Sequence, residues 1–369
     1  MSADNLTEEI RGEQESYTDE SLYNITSYGT DIMLSQIVEM YRSGDLEKPE
    51  LQRNYVWQKS EASRFIDSIL LGLPVPGIFL AKTREKKFLI VDGYQRIMTV
   101  YDYITGIFSK DSKVFKLSNT ENIYHHWRGK AYAELTETFQ RAIRTYSIHA
   151  TIFEQKHPDD DSSMYQIFER INTGGRVLKP QEIRNCVYYG SFNTLLAELN
   201  REDVWRIVLG SHELDSRMSD IELILRFFAF IDLPQRKEAK QQRINLMKYL
   251  NTYMNDNRNI SSDEAERLRT KFISIISSLY KQIGAHLFHT AKYKSSIITW
   301  ARKINPVVFD AVCSAANIYG NESLPDSSLS ERYTRLVLDE EFTSVTRQQT
   351  TDTANIHRRV EIARSFLYD

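Results

Sequence analysis

Five residues, Asp92-Gly93-Tyr94-Gln95-Arg96, fall between an apolar run at 88–91 and a stretch with helical spacing at Ile97, Met98, Tyr101 and Ile104. A helix beginning there presents unpaired N–H groups and the positive end of its dipole, so an anion is favoured at that point. Gly93 lets the backbone approach a ligand closely or take a positive φ. Arg96 can hold phosphate oxygens bidentately. Gln95 can donate to an oxygen or orient a water, and Asp92 can hold a divalent cation such as Mg²⁺. The same residues have a plainer use, in which Asp92 caps the helix and Arg96 meets a surface acid.

Two further clusters have a similar make-up. In "LQRNYVW" (51–57), Gln52, Arg53 and Asn54 lie on an extended segment beside aromatics. An arginine flanked by amides can serve as a second phosphate or base clamp, or it can simply stack on Tyr55 or Trp57. In "FERINTGGRVLKPQEIRN" (168–185), Glu169, Arg170 and Asn172 precede Gly174-Gly175, and Arg184 and Asn185 follow on the next helix. The glycine pair can lie over a ligand or merely connect two helices. Taken together, three arginine-plus-carboxamide clusters at turns or helix starts suggest one anion pocket, better suited to phosphates than to acyl chemistry.

Other chemistries lack their residues. The chain has no G-x-x-x-x-G-K-[ST], no G-x-S-x-G, no kinase signature and no H-E-x-x-H. His125-His126 and the pair His286 and His289 lack a partner set with ligand spacing, and the latter read as satisfied helix residues. "PDDD" (158–161) lacks the acid-x-Lys that follows in metal-dependent nucleases and reads as a capped loop. Cys186 and Cys313 are isolated, which argues against a disulfide framework or zinc site and fits a reducing cytosol.

The elements that must position these clusters can be read from periodicity. With 369 residues, 41% hydrophobic and 26% charged, the chain has the profile of a soluble globular protein. The spacing predicts helices over 30–45, over 60–73 with Ser60 as cap, and on both sides of Gly174-Gly175. "GIFLA" and "FLIVD" predict a hairpin, and 146–155 a further strand; residues 107–145 carry no clear periodicity. From about residue 191 the text reads as almost purely helical. The fold class expected is therefore α+β, with a mixed sheet and helices at 26–190 and an all-helical part at 191–369. "LILRFFAFIDL" is short and carries Arg226 and Asp232, so no membrane span is expected.

The net charge of −3 conceals an asymmetry. Residues 1–22 hold seven acids and one base, so 1–25 is expected to be a disordered acidic tail without signal-peptide character. Residues 234–303 hold 14 Lys and Arg against five Asp and Glu. That stretch reads either as a set of solvated helix faces or as a DNA-facing surface, with Arg236, Lys237, Lys240, Arg243 and Lys248 as its contacts.

"LQRNYVW", "DGYQRIMTVYDYITG" and "FERINTGGRVLKPQEIRN", in that order, together resemble the family named for the N-terminal domain of the GmrSD restriction endonucleases. The resemblance implies a relative of the ParB/sulfiredoxin fold, in which a strand-turn-helix binds nucleotide phosphates. It also implies NTP hydrolysis within a prokaryotic defence system directed at modified DNA. The family's D-G-Q-Q-R has Tyr94 at its first glutamine here. No His-Asn-His nuclease is recognisable near the C-terminus, so cleavage is expected to belong to a separate nuclease or effector chain. The expectation is thus a cytoplasmic, Mg²⁺-assisted NTP-binding and hydrolysing regulator. Asp92, Gln95, Arg96 and Glu169 would be catalytic, and Gln52, Arg53, Gly93, Tyr94, Arg96, Arg170, Asn172, Gly174, Gly175, Arg184 and Asn185 would bind nucleotide. The alternative is a nucleotide switch or DNA-binding module without turnover, and a homo-oligomer is compatible with either.

Overall fold

The structure is a computed structural model that describes residues 6–8, 25–47, 55–83, 86–155, 162–171, 179–295, 297–319 and 329–369. The chain divides into two compact units. One comprises Glu20–Val177 with Asn185–Val187, and the other Met1–Asp19, Leu178–Arg184 and Tyr188–Asp369. The first is α+β and the second is predominantly helical.

The α+β unit runs β1 (Ile25–Met33), α1 (Leu34–Ser43), β2 (Leu46–Glu47), α2 (Lys59–Leu70), β3 (Ile78–Lys82), β4 (Phe88–Asp92), α3 (Tyr94–Thr105), β5 (Ile107–Phe108), β6 (Lys113–Val114), α4 (Glu137–Thr145), β7 (Ser147–Gln155) and α5 (Ser162–Ile171). Its main sheet has the order β1-β7-β3-β4-β2. The β1/β7 and β3/β4 pairs are antiparallel, whereas β7/β3 and β4/β2 are parallel, which makes the sheet mixed. The expected hairpin is the β3/β4 pair. Helices α1, α2 and α3 bury Ile37, Val38, Ile66, Ile69, Ile97 and Val100 in one core with Leu80 and Ile90 of the sheet. The sequence ran the first helix through Ile32 and Met33, but those residues end β1, and the helix begins only at Leu34. The start of α2 is held by Glu61, whose Oε2 accepts from the Gln58 N–H at 2.8 Å, rather than by Ser60.

The helical unit comprises α6 (Pro180–Val187), whose last three residues count with the sheet unit, then α7 (Ser191–Leu199), α8 (Asp203–Leu209), α9 (Ser219–Asp232), α10 (Leu246–Asp256) and α11 (Ser262–Ile283). Next come β8 (His289–Lys294), β9 (Ile297–Ile304), α12 (Pro306–Tyr319), α13 (Leu329–Leu338), α14 (Glu340–Arg347) and α15 (Thr353–Tyr368). Helices α9 and α12 are buried almost all round, so each reads as apolar with few polar positions. Their polar residues are paired: Arg226 of α9 meets Asp310 of α12 through Nε at 3.1 Å and Nη2 at 2.5 Å.

The antiparallel β8/β9 ribbon departs from the purely helical expectation. His289 lies in β8, not in a helix, and its Nδ1 is 3.0 Å from the Ala301 carbonyl oxygen. The His286 ring stacks on Trp300 at 4.3 Å. Leu6–Glu8, read from sequence as part of the acidic tail, pair with β9 through a parallel bridge between Thr7 and Ile304. Glu8 also accepts a hydrogen bond from the Asn305 amide at 2.6 Å. Residues 158–161 lie outside the described residues. No helix among the described residues is long and apolar enough to cross a membrane.

Candidate functional site

Strand β4 delivers the D-G-Y-Q-R turn to the edge of the sheet. Apolar β-formers at 88–91 hold the strand between β3 and β2, and the chain then reverses into α3 through Gly93, with φ 102° and ψ 5°. Only glycine takes that conformation without strain. A Cβ there would also lie 2.5 Å from Ile78 Cγ2. Gly93→Ala is therefore expected to destabilise the α+β unit by about 1–3 kcal/mol, measured by urea denaturation. A stability equal to wild type would show that the turn tolerates a side chain.

No side chain caps α3. Asp92 does not turn inward to the first-turn N–H groups; its Oδ2 accepts from Arg96 Nη2 at 2.6 Å. The same Nη2 donates to the Gly77 carbonyl at 3.0 Å. The guanidinium is thus anchored by one nitrogen, while Nε is shut away from solvent without a partner. Arg96 is 16% exposed and Asp92 45%. The acid that Arg96 meets is thus Asp92 itself, one turn back. Gly77 lies outside the three motifs. Its signal is P-V-P-G just before a strand, and a Cβ there would lie 2.7 Å from the His149 carbonyl oxygen.

Gln95 has a definite task. Its Oε1 accepts from the backbone N–H groups of Val56 (2.9 Å) and Trp57 (3.2 Å). Tyr55 adds a 2.6 Å hydroxyl–hydroxyl bond to Thr99, which itself donates to the Gln95 carbonyl at 2.7 Å. Lys110 closes the same segment by donating to the Val56 carbonyl at 2.9 Å. The end of the "LQRNYVW" motif is therefore fastened to the first turns of α3. Gln52 and Arg53, expected to bind phosphate, lie just upstream and outside the described residues.

Tyr94 is buried beneath the turn, and burial, followed by the charge environment of Tyr41 and Asp102, pushes its hydroxyl far above the ordinary phenol range. It stays neutral at any physiological pH, so it serves as packing and a hydrogen-bond partner rather than as an acid or base. Beside it, burial raises the Asp102 carboxyl, an effect that hydrogen bonds from Ser109 oppose.

Helix α5 packs on β4 and carries Glu169 and Arg170. Burial raises the Glu169 carboxyl and the Arg170 charge lowers it, with burial the larger effect. Asn172, Gly174 and Gly175 lie outside the described residues.

Arg184 is placed differently from the expectation. It is 1% exposed and committed within the helical unit: Nε donates to Gln181 (2.7 Å), Nη1 to Asn251 (3.3 Å) and Nη2 to Glu222 (2.5 Å). With all its nitrogens engaged by protein groups, it has none left for a phosphate. Asn185 is wholly buried.

A divalent cation held by protein alone needs several acids or carbonyl oxygens, and no group of three His, Cys, Asp or Glu that could hold one occurs among the described residues. Mg²⁺, however, often binds through one or two carboxylates plus substrate phosphates. Asp92, half-exposed with Oδ2 on Arg96, fits that second mode. An ion arriving with a polyphosphate would be held by Asp92 and would neutralise phosphate charge.

Of the basic residues expected at DNA, Lys237, Lys240, Arg243 and Lys248 are exposed. Arg243 donates to Thr351 at 3.0 Å. Arg236 is bonded to Asp256 at 2.6 Å and lies over the Tyr253 ring.

Residues 34–189 match the family model described as GmrSD restriction endonuclease, N-terminal domain. No curated protein and no solved structure matches the chain.

Proposed function

We propose, for a chain whose residues 34–189 match the model of the GmrSD restriction endonuclease N-terminal domain, that the turn at 92–96 binds the phosphates of a nucleoside triphosphate and regulates a DNA-directed restriction system. The observation that carries this reading is the state of Arg96. Its guanidinium is fixed through Nη2 by Asp92 and Gly77, which leaves Nη1 for a ligand, and it stands at an uncapped helix start. A preorganised cation beside free N–H groups favours a polyphosphate. The ParB-like relationship, an Mg²⁺ ion held with the phosphates at Asp92, and DNA together with a separate nuclease or effector chain as partners belong to the same proposal.

One observation favours the reading in which the nucleotide is bound but not turned over. The Gln95 side-chain oxygen Oε1, a natural group for orienting an attacking water, is already taken by the N–H groups of Val56 and Trp57. Hydrolysis by this chain would then rest on Asp92 or Glu169. A nucleotide on Arg96 and the adjacent N–H groups would instead be sensed by the segment that Gln95 holds.

Titrating the purified chain with ATP and GTP in Mg²⁺, while measuring phosphate release, separates these outcomes. Binding with release makes the protein a hydrolase, and binding without release makes it a nucleotide switch. Absence of binding overturns the proposal.

A further inference from the structure

Two of the most exposed apolar side chains described in the helical unit, Tyr293 and Ile297, lie on the β8/β9 ribbon together with four cations. From Arg267 to Phe309 the chain has eight Lys and Arg and no Asp or Glu. Four of these cations, Lys292, Lys294, Arg302 and Lys303, belong to the ribbon, and none of them forms an ion pair among the described residues. By contrast, Arg236, Arg267 and Arg269 are each matched by a carboxylate. The ribbon also carries Tyr293 (66% exposed) and Ile297 (70%), large apolar side chains left in solvent near its tip.

Register determines how these groups are displayed. Lys292 faces Thr299, Tyr293 faces Ile298 and Lys294 faces Ile297. Side chains alternate along a strand, so both lysines share a face with Ile297 and Thr299. Tyr293 and Ile298 share the other face with Ala291 and Trp300. Ser295 turns the chain with φ 50°, the sign that a tight two-residue hairpin loop requires. The base is fixed to the helical body. Trp300 stacks between His286 and the ring of Tyr333, and the Tyr333 hydroxyl donates to the His289 carbonyl at 2.9 Å. Below Ala291, which is buried, the ribbon belongs to the core; above it, three residue pairs stand in solvent.

We infer that this ribbon is the element of the chain that enters duplex DNA, in preference to the lysines and arginines at 236–248. Three pairs at about 3.4 Å per residue project roughly 10 Å, comparable to the depth of about 8.5 Å of the major groove, which admits a two-stranded ribbon. Cations without carboxylate partners match the phosphates that flank the groove, and their binding releases counterions. The exposed Tyr293 and Ile297, one on each face of the ribbon, supply apolar contact with base edges such as the thymine methyl. The inference rests on the reading that the protein acts on DNA.

The test measures the affinity of the full chain for a fluorescent duplex over a series of salt concentrations. Each phosphate contact contributes about 0.9 to the slope of log K against log salt. The double variant Lys292→Gln/Lys294→Gln is expected to lower that slope by about 2, and Lys237→Gln/Lys240→Gln to leave it unchanged. Tyr293→Ala is expected to weaken binding without altering the slope. All these side chains are exposed, so folding is expected to persist, as circular dichroism would verify. An unchanged slope in the ribbon variant overturns the inference while DNA remains the partner. Wild-type protein that ignores the duplex overturns both. Ribbon-dependent binding to phosphatidylserine vesicles in place of DNA would make the hairpin a membrane-contacting element and also overturn it.

Discussion

Arg96→Ala is expected to weaken binding of a nucleoside triphosphate by roughly 100-fold while leaving the protein folded. A hydrogen bond from a charged donor is worth about 1.5–3 kcal/mol when its partner is also charged, and about 1.4 kcal/mol corresponds to tenfold in affinity. Losing the two N–H groups of Nη1, the ones left for phosphate oxygens, therefore falls near two orders of magnitude. The fold loses less, because Arg96 contributes two part-buried bonds, to Asp92 and to Gly77. Arg96→Lys sharpens the test. It keeps the charge but not the planar fork, so most of the affinity should still be lost if phosphate is held bidentately. Calorimetric titration with the triphosphate reads the affinity, and thermal melting reports the fold. Undiminished binding in Arg96→Ala would return the turn to a purely architectural role, in which Arg96 exists to tie Asp92 to Gly77.

Asp310→Asn is expected to destabilise the helical unit by about 3–5 kcal/mol, the usual cost of leaving one partner of a buried ion pair alone. The site is more demanding than a single pair. Asp310 is 1% exposed and holds Arg226 by two bonds, while Arg359, wholly buried, places Nη2 at 3.8 Å from the same carboxylate. Both guanidinium groups also lie over the Phe230 ring. The amide keeps the volume and removes the charge, so two buried cations would lose the carboxylate they share. In a unit of this size about 1 kcal/mol shifts Tm by roughly 2–4 °C, which puts the expected drop near 10 °C. Replacing Arg226 by Met in the same variant should recover part of the loss, because the uncompensated charge leaves together with its partner. A loss below 1 kcal/mol would mean that water reaches the arginines.

Much of the sheet unit was legible because its signals are local. The stripe Phe65, Ile66 and Ile69 marks α2, and two short apolar runs around a charged loop mark β3 and β4. The D-G-Y-Q-R turn was legible for the same reason, since a glycine between strand and helix has few other uses. What stayed hidden depends on partners far along the chain. Nothing near Arg184 announces Glu222, 38 residues later, so an arginine inside a phosphate-like motif was read as a ligand contact. Gln95 is similar: an amide at a helix start can orient a water or accept two N–H groups, and only the fold shows Val56 and Trp57 beside it. The β8/β9 ribbon does alternate, with Ala291 and Tyr293 facing Trp300 and Ile298. Its neighbours on both sides are long helices, and their period drowned a signal only a few residues long.

The bridge between Thr7 and Ile304 has a consequence for the order of events during synthesis. Glu8 leaves the ribosome 297 residues before Asn305, its hydrogen-bond partner. At about 5–20 residues per second the segment waits roughly 15–60 s for its place. The sheet unit, whose strands lie between them, can fold in that interval. A short strand kept waiting is open to wrong partners, and the seven acids among residues 1–22 keep it in water and repel other copies of itself. A segment made 297 residues before its partner is thus among the last to find its place.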